Sequence, residues 1–176
     1  MRVATRAKTQ SRRTRWAARL AGGGLAAALA IGVGASPALA AAVDPDFVEG
    51  NPAPSCPDGS LSSVALRVTP SDGESQGFDI PIPNDGTGHI DVTFSQVPGS
   101  DPDTQVAFST SGGIAVNQAT VKGGPNANRY IYDTNAGFPN GIQSDDGLIS
   151  PINPGGQLPT ISHVDFCFVS SPYNGT

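Results

Sequence analysis

The stretch FDIPIPNDGTGHIDVTF, residues 78–94, decides the fold of this chain because it holds two alternating runs around a turn. Apolar residues occupy every second position before the turn and again after it, at Phe78, Ile80, Ile82, Ile90, Val92 and Phe94. This period is typical of strands with one buried face, and the intervening residues are turn formers. The stretch therefore predicts a β-hairpin. Because Pro81 cannot donate a hydrogen bond to a neighbouring strand, the first strand is predicted at a sheet edge.

Further segments outside the hairpin have the composition of short strands separated by turn residues. They are residues 62–69, 105–109, 114–121, 129–133 and 162–169. About seven strands that each hide one face are most simply buried as two sheets packed face to face. The predicted fold class is therefore all-β, a two-sheet antiparallel β-sandwich with one disulfide.

The predicted domain organisation has three parts. Residues 1–40 form a signal peptide, residues 41–57 an extended proline-rich entry segment, and residues 58–176 the sandwich domain. Proline fixes φ and lacks an N–H group, which excludes a helix in the entry segment. Residues 136–158 are rich in Gly, Pro, Asn and Asp and are predicted as a long loop, of a length that is often functional.

The first forty residues have the pattern of a secretory leader. Residues 1–19 contain seven basic residues and no acidic one, and residues 20–43 carry no charge. Ala38 and Ala40 provide the small side chains that signal peptidase requires before its cut. We therefore expect cleavage after Ala40, with Ala42 as the second choice.

Two alternatives remain open for the leader. The apolar run approaches the length of a spanning helix, so an uncleaved membrane anchor is the alternative to cleavage. The pair Arg12-Arg13 also leaves twin-arginine export open beside the general secretory route.

Removal of the leader makes the remaining chain strongly acidic. Three basic residues, Arg67, Lys122 and Arg129, then stand against fifteen acidic ones, a formal net charge of −12. Nucleic-acid binders need a basic footprint that displaces counterions from phosphates, so nucleic acid is excluded as a partner. Anionic membrane surfaces are disfavoured for the same reason, and no membrane association is expected after leader removal.

The chain has two cysteines, Cys56 and Cys167, near the two ends of the predicted domain. An even number of cysteines in an exported chain indicates a disulfide. This bridge would close most of the domain into one loop. The alternative is two separate buried thiols.

His163 and Asp165 are the clearest candidates for chemistry because residues two apart on a strand share a face. A carboxylate beside an imidazole can orient the ring as a base or a metal ligand. No G-x-S-x-G elbow supplies a nucleophile, so a structural histidine is favoured and no catalytic residue is assigned. His89 and Asp91 form a second such pair, and the two pairs would make a metal site only if they converged.

Clusters of Asp, Asn and Gly are candidates for calcium binding because calcium prefers oxygen ligands. They lie at residues 84–86, 101–103 and 143–147. Asp145 and Asp146 are the best of them, since adjacent carboxylates repel each other unless a cation relieves them. The alternative is that these clusters are plain turns.

Aromatic and amide side chains near Tyr130 and Tyr132 are a candidate surface for a sugar or a peptide. Phe138 and the amides of Asn126, Asn128 and Asn135 lie close to these tyrosines in sequence. Ring faces and amides suit the recognition of polyols. The alternative places the tyrosines in the core or at its rim.

Three blocks in the second half of the chain resemble a family of secreted proteins. Residues 122–132 are KGGPNANRYIY, residues 147–156 are GLISPINPGG and residues 161–167 are ISHVDFC. They are similar to the pattern K-G-G-x-x-A-N-x-Y-x-Y, G-L-x-x-P-x-N and S-H-x-x-F-C of an uncharacterised family of small secreted proteins of high-GC Gram-positive bacteria. The resemblance implies secretion, a β-rich fold and a structural cysteine. It carries no catalytic residue and leaves residues 133–146 open.

These observations favour a secreted, non-enzymatic domain with a binding or structural role at the cell exterior. The partner would be a cell-wall glycan or an extracellular protein, and no cofactor is expected apart from the calcium ion considered above. The alternative is a small extracellular hydrolase or lyase that uses His163 and Asp165. The candidate binding residues are Asn128, Tyr130, Tyr132, Asp145, Asp146 and His163.

Overall fold

The computed structural model of the chain describes residues 40–71, 75–84 and 86–172. The predicted signal peptide lies outside these residues apart from Ala40, and so do Asp85 of the hairpin turn and residues 173–176. The described residues contain nine β-strands and no α-helix. The strands are β1 (Asp46–Val48), β2 (Leu66–Val68), β3 (Gln76–Ile82), β4 (Gly86–Ser95), β5 (Gln105–Ser111), β6 (Ile114–Gly123), β7 (Asn126–Ile131), β8 (Ser144–Ile149) and β9 (Ile161–Ser170).

The strands form two antiparallel sheets, which confirms the predicted all-β sandwich. The five-stranded sheet has the order β1-β7-β6-β9-β2, and the four-stranded sheet has the order β3-β4-β5-β8. Val116 and Phe166 of the first sheet and Ile90 of the second are fully buried between the layers. The ring of Phe108 on β5 packs edge to face against Phe166 on β9, with centroids 5.4 Å apart. The two sheets are therefore in direct apolar contact.

The hairpin that the sequence predicts is formed by β3 and β4. Phe78 pairs with Ile90, and Ile80 pairs with Gly88. β3 lies at the edge of its sheet, which confirms the position expected from Pro81. Proline is tolerated there because no further strand needs its N–H group.

Two strands were missed by the sequence analysis, which expected about seven. β1 lies in the entry segment and pairs with β7 at one edge of the five-stranded sheet. β8 lies in the predicted loop 136–158 and pairs with β5 as an edge of the four-stranded sheet. β1 has three residues, and β8 begins with three polar residues in the sequence SDDGLI. Neither strand therefore shows the apolar alternation that revealed the others.

Cys56 and Cys167 form the predicted disulfide, with their Cα atoms 5.5 Å apart. Cys167 alternates along β9 with Phe166 and Phe168, which face the core. The bridge therefore attaches the entry segment to the outer face of the five-stranded sheet. It joins residues that are 111 positions apart in the chain.

The entry segment crosses that outer face as a strap, which consists of residues 50–55. At its start the N–H of Gly50 donates to the side chain of Asn126 on β7, at 3.0 Å. At its end the carbonyl of Ser55 accepts the side-chain amide of Gln118 on β6, at 3.3 Å. The strap therefore contacts Gln118, and outward-facing side chains of β6 are buried. Gln118, Thr120 and Lys122 are 8%, 5% and 8% exposed.

Candidate functional site

Side chains of β7 and of the residue that follows it bind the edge strand β8 across the gap between the sheets. The hydroxyl of Tyr130 donates to the carbonyl of Ile149 and accepts its N–H, both at 2.9 Å. The amide of Asn128 donates to the same carbonyl at 3.0 Å, and the hydroxyl of Tyr132 donates to Asp145 at 2.7 Å. An edge strand has backbone groups without a strand partner, and these side chains satisfy two of them. They thereby join one sheet to the other.

The structure places Tyr130 and Tyr132 away from the surface that was predicted to bind a sugar or a peptide. Tyr130 and Tyr132 are each 1% exposed, and Asn128 is 8% exposed, so the rings cannot stack on a ligand. The alternative weighed from the sequence, tyrosines in the core, is correct. Burial raises the pKa of both tyrosines, and at Tyr132 the hydrogen bond to Asp145 raises it further.

Asp145 collects hydrogen bonds at the other end of the same gap. Its Oδ1 and Oδ2 accept the backbone N–H of Ala42 at 3.0 and 3.1 Å. Oδ2 also accepts the hydroxyl of Tyr132, and Oδ1 accepts the N–H of Asp146 at 2.8 Å. The chain's own donors therefore stabilise the carboxylate that made Asp145 a candidate for calcium binding.

A bulge in β8 directs Asp145 and Asp146 to different sides of the strand. The register with β5 shifts so that Ala107 stands opposite two residues, Asp146 and Gly147. Gly147 has a φ of +73°, which glycine adopts without a Cβ clash and which suits a bulge. Asp145 consequently meets the five-stranded sheet, while Asp146 lies toward the outside of the four-stranded sheet.

The outer face of the four-stranded sheet contains a polar hollow of about 350 Å³, here named the outer groove. Strand pairing places Asp91, Ser109 and Ser144 in one row across it. Thr93 and Asp146 also line it. The outer groove thus presents hydroxyl groups and carboxylates on three hydrogen-bonded strands.

His89 borders the outer groove and lies between two carboxylates. Its Nδ1 is 2.8 Å from Oδ1 of Asp79, and its Nε2 is 3.4 Å from Oδ1 of Asp91. The hydrogen bond with Asp79 is the main reason why the pKa of His89 lies above its ordinary value, and Asp91 adds to the effect. A Cβ at Gly77 would come within 2.8 Å of the ring. The glycine therefore leaves the space in which the imidazole lies.

His163 and Asp165 share a face of β9, as predicted, but they do not line an open cleft. Nε2 of His163 is 3.8 Å from Oδ2 of Asp165, and the side chains are 12% and 4% exposed. Arg67 donates to both oxygens of Asp165 at 2.8 Å. Burial lowers the pKa of His163, with Asp165 opposing the shift and Arg67 and Lys122 adding to it. These contacts match the structural histidine that the sequence favoured.

The two histidine–aspartate pairs do not converge, so the metal site that would combine them is wrong. His89 and Asp91 lie on β4, whereas His163 and Asp165 lie on β9 in the other sheet, and both pairs face outward. The apolar core separates them. Among the residues that the structure describes, no group of three or more His, Cys, Asp or Glu is arranged to hold a metal ion. Of the calcium candidates, Asp85 lies outside those residues.

Three contributors to these sites were missed by the sequence analysis. Asp79 and Ser109 join the outer face of the four-stranded sheet through the registers of β3 and β5 with β4. The hairpin alternation carried a signal for Asp79, because it places Asp79 on the same face as His89. Ala42 meets Asp145 through its backbone, and its side-chain type gives no signal for that contact.

Comparisons with known proteins add no assignment. No model of a known protein family matches the chain, and no curated protein or solved structure is significantly similar to it. The resemblance of the three sequence blocks therefore stays a prediction. The described residues include no helix with the length and apolar character needed to cross a membrane.

Proposed function

We propose that the chain is exported, loses its leader and acts outside the cell as a non-enzymatic binding domain. The observation that carries this proposal is the Cys56–Cys167 disulfide, which anchors the strap and spans 111 positions of the chain. Structural disulfides form and persist in oxidising compartments outside the cytoplasm. The basic, then apolar, then Ala-x-Ala leader pattern supports the same compartment.

The outer groove is the proposed binding surface. Its row of Asp91, Ser109 and Ser144 offers acceptors and donors spaced along three strands, and hydroxyl-rich ligands need both. The net charge of −12 outside the leader disfavours anionic polymers. The proposed ligand class is therefore a neutral or amine-bearing polysaccharide, such as a cell-wall glycan.

The alternative function, a hydrolase or lyase that uses His163 and Asp165, has weaker support. A general base must reach the proton that it abstracts from a substrate. The His163 side chain is 12% exposed, and Arg67 already binds both oxygens of its carboxylate neighbour. These contacts favour a structural role for the pair.

The test expresses the full chain in a Gram-positive secretion host and follows the protein by cell fractionation. Secreted protein is then screened against an array of cell-wall polysaccharides. We expect saturable binding by the wild type. Ser109→Tyr fills the outer groove and should weaken this binding by about tenfold, the equivalent of one or two lost hydrogen bonds. Ser95→Tyr is the matched control, because Ser95 is an exposed serine of β4 outside the groove.

Each part of the proposal has its own contrary result. Retention of the chain in the cytoplasm with reduced cysteines would reject export. Secretion without binding to any polysaccharide, or equal loss of binding in both tyrosine variants, would reject the outer groove as the binding surface.

A further inference from the structure

Asp145 binds the chain just after the end of the predicted leader, at Ala42. Both of its carboxylate oxygens accept the N–H of Ala42, at 3.0 and 3.1 Å. The hydroxyl of the buried Tyr132 fixes the carboxylate from the other side at 2.7 Å. A carboxylate that grips one backbone nitrogen with both oxygens, and is itself oriented, forms a site for a positively charged nitrogen donor.

Apolar contacts fix the same segment beside the carboxylate. Ala41 and Val43, the neighbours of Ala42, pack against the hydrophobic core. The segment is therefore seated on the domain through side chains as well as through the Asp145 hydrogen bonds.

The surroundings of Ala42 favour positive charge. A hollow of about 430 Å³ beside it is lined by the acidic residues Asp44, Asp46 and Asp133, and its lining includes no basic residue. Together with Asp145, these carboxylates would stabilise a cation placed at this position. Within the described residues, the donors to Asp145 are all neutral: the backbone N–H groups of Ala42 and Asp146 and the hydroxyl of Tyr132.

Leader cleavage would create a cation at this place. Hydrolysis of the Ala40–Ala41 peptide bond consumes one water and leaves a carboxylate on Ala40 and an ammonium group on Ala41. Consecutive residues are about 3.8 Å apart along the chain, so the new ammonium lies one residue from the nitrogen that Asp145 binds. A small rotation brings it within the distance of an ion pair, about 4 Å.

We infer that Asp145 is the binding site for the α-ammonium group of Ala41 that leader removal creates. The inference rests on the export proposed above. It also chooses between the two candidate cuts, because cleavage after Ala42 would remove the N–H group that both Asp145 oxygens accept. Processing after Ala40 keeps that hydrogen bond and adds an ion pair to it.

The first experiment determines the amino terminus of the protein secreted from the full chain by intact mass and terminal sequencing. We expect Ala41. A terminus at Val43 would overturn the inference while leaving export intact. Absence of secreted, processed protein would instead count against the export proposal, so the two failures are distinguishable.

The second experiment measures how fast the amines of the secreted protein react with an acylating reagent. A chain that starts at Ala41 has two amines, the α-amino group and Lys122, and Lys122 is 8% exposed. We expect the α-amino group to react about two- to fivefold more slowly in the wild type than in Asp145→Asn, the ratio given by an exposed ion pair. It should also titrate at a higher pH in the wild type.

Asp146→Asn is the matched control, because it removes the same charge from the neighbouring residue, while the N–H of Ala42 donates to the carboxylate of Asp145. The α-amino reactivity of this variant should equal that of the wild type. Equal reactivity in the wild type and Asp145→Asn, or the same change in both variants, would overturn the inference. If Asp145→Asn fails to fold, the wild-type titration alone decides, and an α-amino group that titrates as in an unstructured peptide overturns it.

Discussion

Replacing Tyr130 by Phe removes one oxygen atom from the contact that joins the two sheets. The hydroxyl accepts the N–H of Ile149 and donates to its carbonyl, both at 2.9 Å. In the variant the carbonyl keeps the amide of Asn128 at 3.0 Å, but the N–H loses the partner that the wild type gives it. The ring of Tyr130 is 1% exposed, so Phe keeps its packing. The perturbation is therefore confined to one unsatisfied N–H group.

The expected loss of unfolding free energy is about 1–2 kcal/mol. An unsatisfied buried donor costs about 1–3 kcal/mol. Because Ile149 is half-buried at a strand edge and some water can reach it, we expect a cost in the lower part of this range. With an unfolding entropy of about 2.1 cal/mol/K per residue, this loss lowers the Tm of a domain of this size by roughly 4–7 °C. Guanidinium unfolding followed by circular dichroism measures the free energy directly.

Two further measurements make the reasoning about Tyr130 specific. Hydrogen exchange of the Ile149 amide should accelerate in Tyr130→Phe more than that of its neighbours. Asn128→Ala and the double variant complete a cycle, in which the double variant should lose about 1 kcal/mol more than the sum, since only it leaves the Ile149 carbonyl without a donor. Wild-type stability and unchanged Ile149 exchange in Tyr130→Phe would refute the interpretation that this hydroxyl ties the sheets together.

Three other predictions follow from the charges and the disulfide. Replacing Cys56 and Cys167 by Ala should lower the unfolding free energy by about 5 kcal/mol, because the bridge closes a loop of 111 residues and so reduces the entropy of the unfolded chain. A loss below about 1 kcal/mol in denaturant titrations would contradict this. Proton NMR should place the pKa of His89 above 6.5 and the pKa of His163 below 6.5, and coincident titrations would be the contrary result. The stabilisation from neutral His163 is then present above pH 6.5 and is lost as the pH falls through the pKa of His163 in the folded protein. The stabilisation from charged His89 is present below pH 6.5 and is lost as the pH rises through the pKa of His89 in the folded protein. Arg67→Met should destabilise the fold by about 1–3 kcal/mol, because it leaves the buried carboxylate of Asp165, which is 4% exposed, without its charged partner. Solvent screens the partly exposed arginine and limits the loss. Adding Asp165→Leu should restore part of the lost stability in the same unfolding assay.

The sequence predicted those parts of the fold that depend on local alternation or on a unique pairing. The hairpin of β3 and β4 followed from apolar residues at every second position. The edge position of β3 followed from Pro81. The disulfide followed from two cysteines that have only each other as partners. β8 could not be recognised in this way, because the polar Asp145 occupies a position that faces the other sheet. Its donors there, the hydroxyl of Tyr132 and the N–H of Ala42, come from distant parts of the chain.

The candidate site was predicted less completely, since alternation shows which side chains share a face but not which face is covered. Tyr130 and Tyr132 were correctly grouped, yet they face the core. His163 and Asp165 were placed together, yet Arg67 binds Asp165 and both side chains are largely buried. The outer groove depends on the pairing of β4, β5 and β8 across distant parts of the chain, and no local pattern encodes that register.

The position of β9 determines how late the five-stranded sheet can be completed. β9 is the last of the described strands to be translated, yet it lies between β6 and β2 and carries the cysteine that secures the strap. β2 pairs only with β9 among the described strands, so it must wait while nearly a hundred residues are translated after it. A nascent chain that stops before residue 161 therefore has a hairpin but no complete five-stranded layer. The five-stranded sheet and the disulfide that secures the strap therefore cannot form until β9 is available.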